Sequence, residues 1–166
     1  QAGALGDGAT HTAVYDAAAD LSRIDYGALT AGGAPKQSVA FTYIRRCTDA
    51  LATNSDASCP TIDNTHGASY PDVPTDLYCQ ATNCYKSSPS FFSTQRLTTV
   101  TTLDAETVSG GLPSKPVSVW SLTHTFPDNG DGTNSKLWLG TVQRMHPSAP
   151  TTSALPATQF WPTMLQ

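Results

Sequence analysis

Apolar and polar positions alternate with a period of two along much of the chain, and a helical period is nowhere sustained. Residues 38–46 (SVAFTYIRR) place Val39, Phe41 and Tyr43 on one face and Ala40, Thr42 and Ile44 on the other. Both faces are largely apolar, which predicts a strand in the interior of a sheet. Residues 117–126 alternate strictly, with Trp120, Leu122, His124 and Phe126 on one face and Val117, Val119, Ser121, Thr123 and Thr125 on the other. Residues 136–145 read as their antiparallel partner across a polar, Gly-containing loop at 127–135. Residues 91–103 contain the run Thr98, Thr99, Val100, Thr101 and Thr102. Such β-branched side chains lose rotamer freedom in a helix and fit a pleated surface, so this stretch is also expected to be a strand.

Around these strands the pattern weakens. Ala17 to Leu21 has helix propensity whereas residues 21–26 alternate, and the latter are read as a strand. Turns are expected at 31–35 and 110–116, and a proline-rich tail from His146 carries Phe160 and Trp161 as apolar anchors or the start of a strand. The first 13 residues are Gly- and Ala-rich without a period and read as a flexible lead-in to a single β-rich module at 14–166. The expected fold is all-β: antiparallel hairpins forming a sandwich or a shell segment, with a long irregular loop and almost no helix.

That loop is marked by the cysteines. Cys47, Cys59, Cys79 and Cys84 fall within one stretch rich in Asp, Asn, Ser and Pro, where Pro60, Pro71, Pro74 and Pro89 exclude long helices. The spacing lacks the paired C-x2-C knuckles of a zinc site, so disulfides are expected to pin a loop insertion at 47–84. Three pairings are possible; joining neighbours, Cys47–Cys59 and Cys79–Cys84, asks least of the fold. The first loop would then contribute about 3 kcal/mol by the chain-entropy argument.

Composition narrows the partners. The chain has 166 residues, enough for one domain with its own core, and a net charge of −4 with only 13% charged residues. This disfavours electrostatic capture of nucleic acid or an anionic membrane, and no apolar run reaches the length of a membrane span. Polarity comes instead from 24 Thr and 16 Ser, a β-leaning and extracellular flavour. Gln1 follows no initiating Met or signal pattern and Gln166 closes on no tail signature, so either a signal peptide has been removed or, the favoured expectation, the chain is an excerpt of a longer protein.

Candidate chemistry is sparse. Asp128-Asn129-Gly130-Asp131-Gly132-Thr133 invites a calcium reading, but glycines occupy its third and fifth positions where an EF-hand needs oxygen ligands. A turn with positive φ at its glycines explains it better. His124 shares a face with Trp120 and Phe126 and reads as a packed histidine bonded at one nitrogen, while His66 lies in the loop near Asp63 and Tyr70. No nucleophile elbow, zincin or P-loop motif occurs, and the only glutamate is Glu106. No catalytic residue, metal or cofactor is expected. Tyr70, Tyr78 and Tyr85 could form an aromatic sugar-stacking platform, against the alternative that the loop aromatics bury the loop itself.

Several stretches carry a resemblance in a fixed order. They are 21–27 (LSRIDYG), 39–47 (VAFTYIRRC), 70–79 (YPDVPTDLYC), 88–102 (SPSFFSTQRLTTVTT), 120–133 (WSLTHTFPDNGDGT) and 137–139 (LWL). Together they resemble a region of large secreted actinobacterial RHS/YD-repeat proteins, upstream of the repeats, over most of the chain from Tyr15 onward. In more distant form the order is similar to the amino-terminal shell portion of RHS and toxin-complex B-type proteins, where β-hairpins wind into a cocoon around a polymorphic toxin. The resemblance implies a shell segment or attached module rather than the toxin, with paired cysteines in the same loop and no catalytic residues to carry over. No YD repeat, self-cleaving core motif or toxin domain is present.

The expected function is therefore a non-catalytic scaffold of a secreted RHS-type protein that encloses or presents an effector, its partner being the remainder of the parent polypeptide. The alternative is an extracellular module that binds cell-surface carbohydrate or protein through the aromatic disulfide loop. An extracellular hydrolase is the weakest of the three.

Overall fold

Alternation dominates the fold as it dominates the sequence. In a computed structural model of the chain, which describes residues 2–4, 10–12, 15–78, 90–109, 111–147 and 154–163, strands are the main regular elements. They are β1 (Ala2–Ala4), β2 (Thr10–Thr12), β3 (Arg23–Tyr26), β4 (Gln37–Arg45), β5 (Gln95–Ser109), β6 (Leu112–Thr125), β7 (Trp138–Met145) and β8 (Thr158–Gln159). The single α-helix among the described residues is α1 (Ala50–Thr53). The fold class is thus the expected one: mostly β, antiparallel, with a disulfide in an irregular segment.

The chain divides into two compact units, residues 21–44 with 95–166 and residues 1–20 with 45–94. The first is a six-stranded antiparallel sheet in the order β3-β4-β5-β6-β7-β8, so each strand's neighbour in space is also its neighbour along the chain. Registers are well defined: Ile24 faces Val39 across β3 and β4, Val100 faces Trp120 across β5 and β6, and Trp120 faces Arg144 across β6 and β7.

Two strands run longer than the alternation implies. β5 continues to Ser109 and β6 begins at Leu112, so residues 104–109 and 112–116, expected as a turn and its approach, form a hairpin arm. Ser109 pairs with Leu112 across a two-residue turn, where Gly111 adopts φ +81°. Proline inside a strand argues against pairing on both sides, because it has no N–H to donate. β6 satisfies that rule, since its pairing with β7 starts only at Val119 and leaves Pro113 and Pro116 on a stretch partnered by β5 alone. At the far side, the Leu155 N–H donates to the Arg144 carbonyl at 3.0 Å and the Phe160 N–H to the Gly140 carbonyl at 2.9 Å. These bonds lay the tail along β7, and the short β8 forms at Thr158–Gln159, just before Phe160 and Trp161, the residues read as anchors or a strand start.

The other unit holds the disulfide segment. The Cys47–Cys59 bond is formed, with a Cα–Cα distance of 5.8 Å. Cys79, Cys84 and Tyr85 lie outside the described residues. With proline and Asx residues interrupting any longer helix, the segment is built from α1 and single 3-10 turns at Asp56–Ser58, Gly67–Ser69 and Thr75–Leu77. α1 stops at Asn54, which takes φ 51° and returns its N–H to the Ala50 carbonyl. Cys47, Ala50, Ile62, Tyr70 and Val73, all in this unit, are buried apolar residues. The Arg46 guanidinium pairs with Asp72, whose side chain is 5% exposed. Residues 1–13, read as a flexible lead-in, contain the antiparallel pair of β1 and β2, with Gly3 opposite His11. Three-residue strands are too short to show a period of two, so the sequence pattern gave no sign of them.

Candidate functional site

The sheet has an unusual distribution of burial. Its buried residues among those described are Pro113 and the polar Ser38, Arg96, Thr98 and Ser118, while large apolar side chains such as Ile24, Tyr26 and Trp120 stay in contact with water. The β3–β4 pair shows both sides of this. Alternation and the Ile24–Val39 register put Ile24, Tyr26, Val39, Phe41 and Tyr43 on one face. Ile24 and Tyr26 are each 45% exposed, and Val39, Phe41 and Tyr43 are only half-buried. The result is an apolar stripe along the β3 side of the sheet, the arrangement expected of a surface built to be covered.

The opposite face of the same strands is polar and tightly bonded. Asp25 accepts from Arg23 Nε at 2.6 Å and from Ser38 Oγ at 2.5 Å, while Arg23 Nη2 donates to the Pro113 carbonyl at 2.8 Å. The Arg23 hydrogen bond, then that of Ser38, holds the Asp25 carboxyl below the usual carboxylate range. This network ties the edge strand to the β5–β6 arm through the Arg23 bond to Pro113.

Of the three loop tyrosines weighed as a platform, Tyr70 is buried, Tyr78 is exposed and Tyr85 lies outside the described residues. Tyr70 is 1% exposed and donates its hydroxyl to the Pro60 carbonyl at 2.7 Å. Burial pushes its phenol above the ordinary range, with Arg45 acting in the opposite direction. An irregular segment needs apolar volume of its own, and Tyr70 supplies it beside Ile62 and Val73, which closes this ring to any ligand. Tyr78 is 41% exposed, with its ring 6.4 Å from that of Phe92 at a tilt of 57°. Tyr15, by contrast, stacks edge-on with Phe91 at 5.4 Å and bonds the backbone of Ser90 at both N–H and carbonyl.

The histidines are engaged locally. His66 Nδ1 lies 2.8 Å from Asp63 Oδ1, but the same oxygen accepts from the Thr65 N–H and hydroxyl. Those Thr65 bonds are the main reason the Asp63 carboxyl titrates low, and the contact locks a turn. His124 Nδ1 lies 3.3 Å from Nη1 of Arg96, which is 3% exposed. Guanidinium is always a donor, so His124 accepts this bond through Nδ1.

The Asp128–Thr133 loop behaves as a turn. Gly130 and Gly132 take φ 78° and 76°, Asp128 Oδ1 accepts from the Gly130 N–H, and Asp131 Oδ1 from the Thr133 N–H and hydroxyl. The Thr133 hydroxyl is the leading cause of the lowered Asp131 carboxyl. No cluster of three His, Cys, Asp or Glu able to hold a metal occurs among the described residues.

What sequence reasoning missed lies at the β7 edge. Trp138 is 38% exposed and Trp161 78% exposed, so Trp161 is not an anchor. Trp120 is 39% exposed, with the Arg144 guanidinium 5.8 Å above its ring and bonded through Nε to Ser118 Oγ at 2.8 Å. The available signal was that the three tryptophans all lie beyond residue 119. Comparisons with family models, curated proteins and solved structures find no match to the chain.

Proposed function

We propose that the chain is a non-catalytic β-scaffold module of a secreted RHS-type protein, helping to enclose or present an effector carried by the rest of the parent polypeptide. The observation that carries this reading is the apolar stripe of Ile24, Tyr26, Val39, Phe41 and Tyr43 on an open meander sheet. A stripe of this kind is stabilised when further β structure of the same polypeptide lies over it, as successive hairpins do in a wound shell. The Cys47–Cys59 bond fits an oxidising compartment and supports secretion. The ordered motifs from Leu21 to Leu139 supply the resemblance to the RHS shell.

The test uses the chain alone and a dye that fluoresces on apolar surface. The isolated chain is expected to bind the dye and to self-associate. The double variant Ile24→Thr, Tyr26→Thr should lose much of both while keeping its far-ultraviolet β spectrum. A wild-type chain that stays monomeric and leaves the dye dark would remove the basis of the reading.

A further inference from the structure

A cleft of about 230 Å³ opens where the 127–136 loop meets β7 and the tail. Trp138, Asp128, Asn129, Asp131, Lys136 and Thr163 line it, and Pro127 and Pro162 complete its walls. We propose that this cleft binds one ring of a neutral oligosaccharide, with Trp138 as the stacking platform. The proposal is independent of the scaffold reading.

The indole is fixed before any ligand arrives. Its Nε1–H donates to the Phe160 carbonyl at 3.2 Å, so the ring is held while remaining 38% exposed. A preset aromatic face binds with little loss of side-chain freedom, and the C–H face of a pyranose is an apolar surface of matching shape. The polar rim is held as well. The Asn129 amide nitrogen bonds Thr133 Oγ1 and the Asn134 carbonyl, which fixes its Oδ1 as the acceptor available to a ligand. Asp128 and Asp131 each commit Oδ1 to the loop backbone, and each keeps a second carboxylate oxygen for hydroxyl groups. Planar acceptors beside an ammonium donor suit vicinal hydroxyls, which both give and take hydrogen bonds.

Charge and size narrow the occupant. Two carboxylates against one lysine disfavour an anion, and the described residues hold no cluster of metal-ligand type. A cleft below the ~300–1,000 Å³ of sites that engulf drug-sized ligands fits a single ring of a chain that continues into solvent.

The test follows the indole N–H signals of the isotope-labelled chain by NMR, titrated with cellohexaose, chitohexaose and, as a polyproline II competitor, hexaproline. Saturable movement of the Trp138 signal with at least one saccharide is expected. Trp138→Ala should weaken binding about tenfold, as loss of a central aromatic contact does. Asp131→Asn, at an exposed residue and retaining the Oδ1 acceptor, should weaken it severalfold with the fold intact. No response to either saccharide at millimolar concentration overturns the proposal, as does movement with hexaproline alone. Affinity unchanged in Asp131→Asn, with binding seen in the wild type, overturns the site assignment even if Trp138→Ala fails to fold.

Discussion

Asp25, Arg23 and Ser38 form a set of charge-assisted hydrogen bonds on a sheet face, with Ser38 fully buried beneath the two charges. Because the Asp25 carboxyl is held low in the folded chain, it binds its proton less readily there than in the unfolded chain. Its contribution to stability is therefore complete above the unfolded value of about 3.9 and is lost as pH falls through the folded value. Arg23→Ala should move the Asp25 titration, followed by NMR, back toward the ordinary range and flatten the acid limb of the stability curve. An unmoved titration would show that Arg23 is not the cause. Cys59→Ser opens a loop closed over a sequence separation of 12 and should lower stability by about 3 kcal/mol in denaturant melts. The β spectrum should survive it, because the sheet strands lie outside that loop. At this scale the faces of β4 were legible by alternation, and Cys47–Cys59 belongs to the neighbour pairing that was preferred among the three open to the four cysteines. The sequence did not announce the Arg23–Asp25–Ser38 network, because that depends on which residues of β3 and β4 stand opposite each other.

The hairpin arm of β5 and β6 depends on a turn and on two prolines. Gly111 sits at φ +81° with open space where a Cβ would stand, so Gly111→Ala tests conformation alone. It should cost about 1 kcal/mol in equilibrium unfolding, and a neutral result would mean the turn relaxes to another type. Pro116 is exposed on the part of β6 that has no partner in β7. A proline there withholds an N–H from any strand that approaches the edge, as does the neighbouring Lys115 by its charge. Pro116→Thr should therefore raise self-association in light scattering without lowering the melting temperature, and unchanged scattering would count against an edge-blocking role. The two prolines and Gly110-Gly111 made this stretch read as a turn in the sequence. The strands extend through it because a proline is tolerated wherever only one side of the strand is paired, and pairing is a property of the sheet rather than of the local sequence. Tyr70 illustrates the same limit in the loop: its residue type fits a platform or a core equally, and its 1% exposure decides for the core.

The whole chain joins a unit that buries its own apolar residues to a sheet that leaves many of its own in contact with water. Cys47, Ala50, Ile62, Tyr70 and Val73 form the buried set of the disulfide unit, whereas Ile24, Tyr26, Val117 and Trp120 of the sheet remain exposed. The all-β class was legible from alternation and from the Thr-rich strands. The open character of the sheet was not, since a stripe such as Val39, Phe41 and Tyr43 reads identically whether another layer covers it or not. That difference carries the scaffold proposal, in which the stripe would take further β structure of a parent polypeptide. Hydroxyl-radical footprinting read by mass spectrometry measures this directly at Tyr26, Phe41 and Tyr43. These residues are predicted to oxidise readily in the isolated chain and to be protected within the parent polypeptide, and equal oxidation in both would contradict the account.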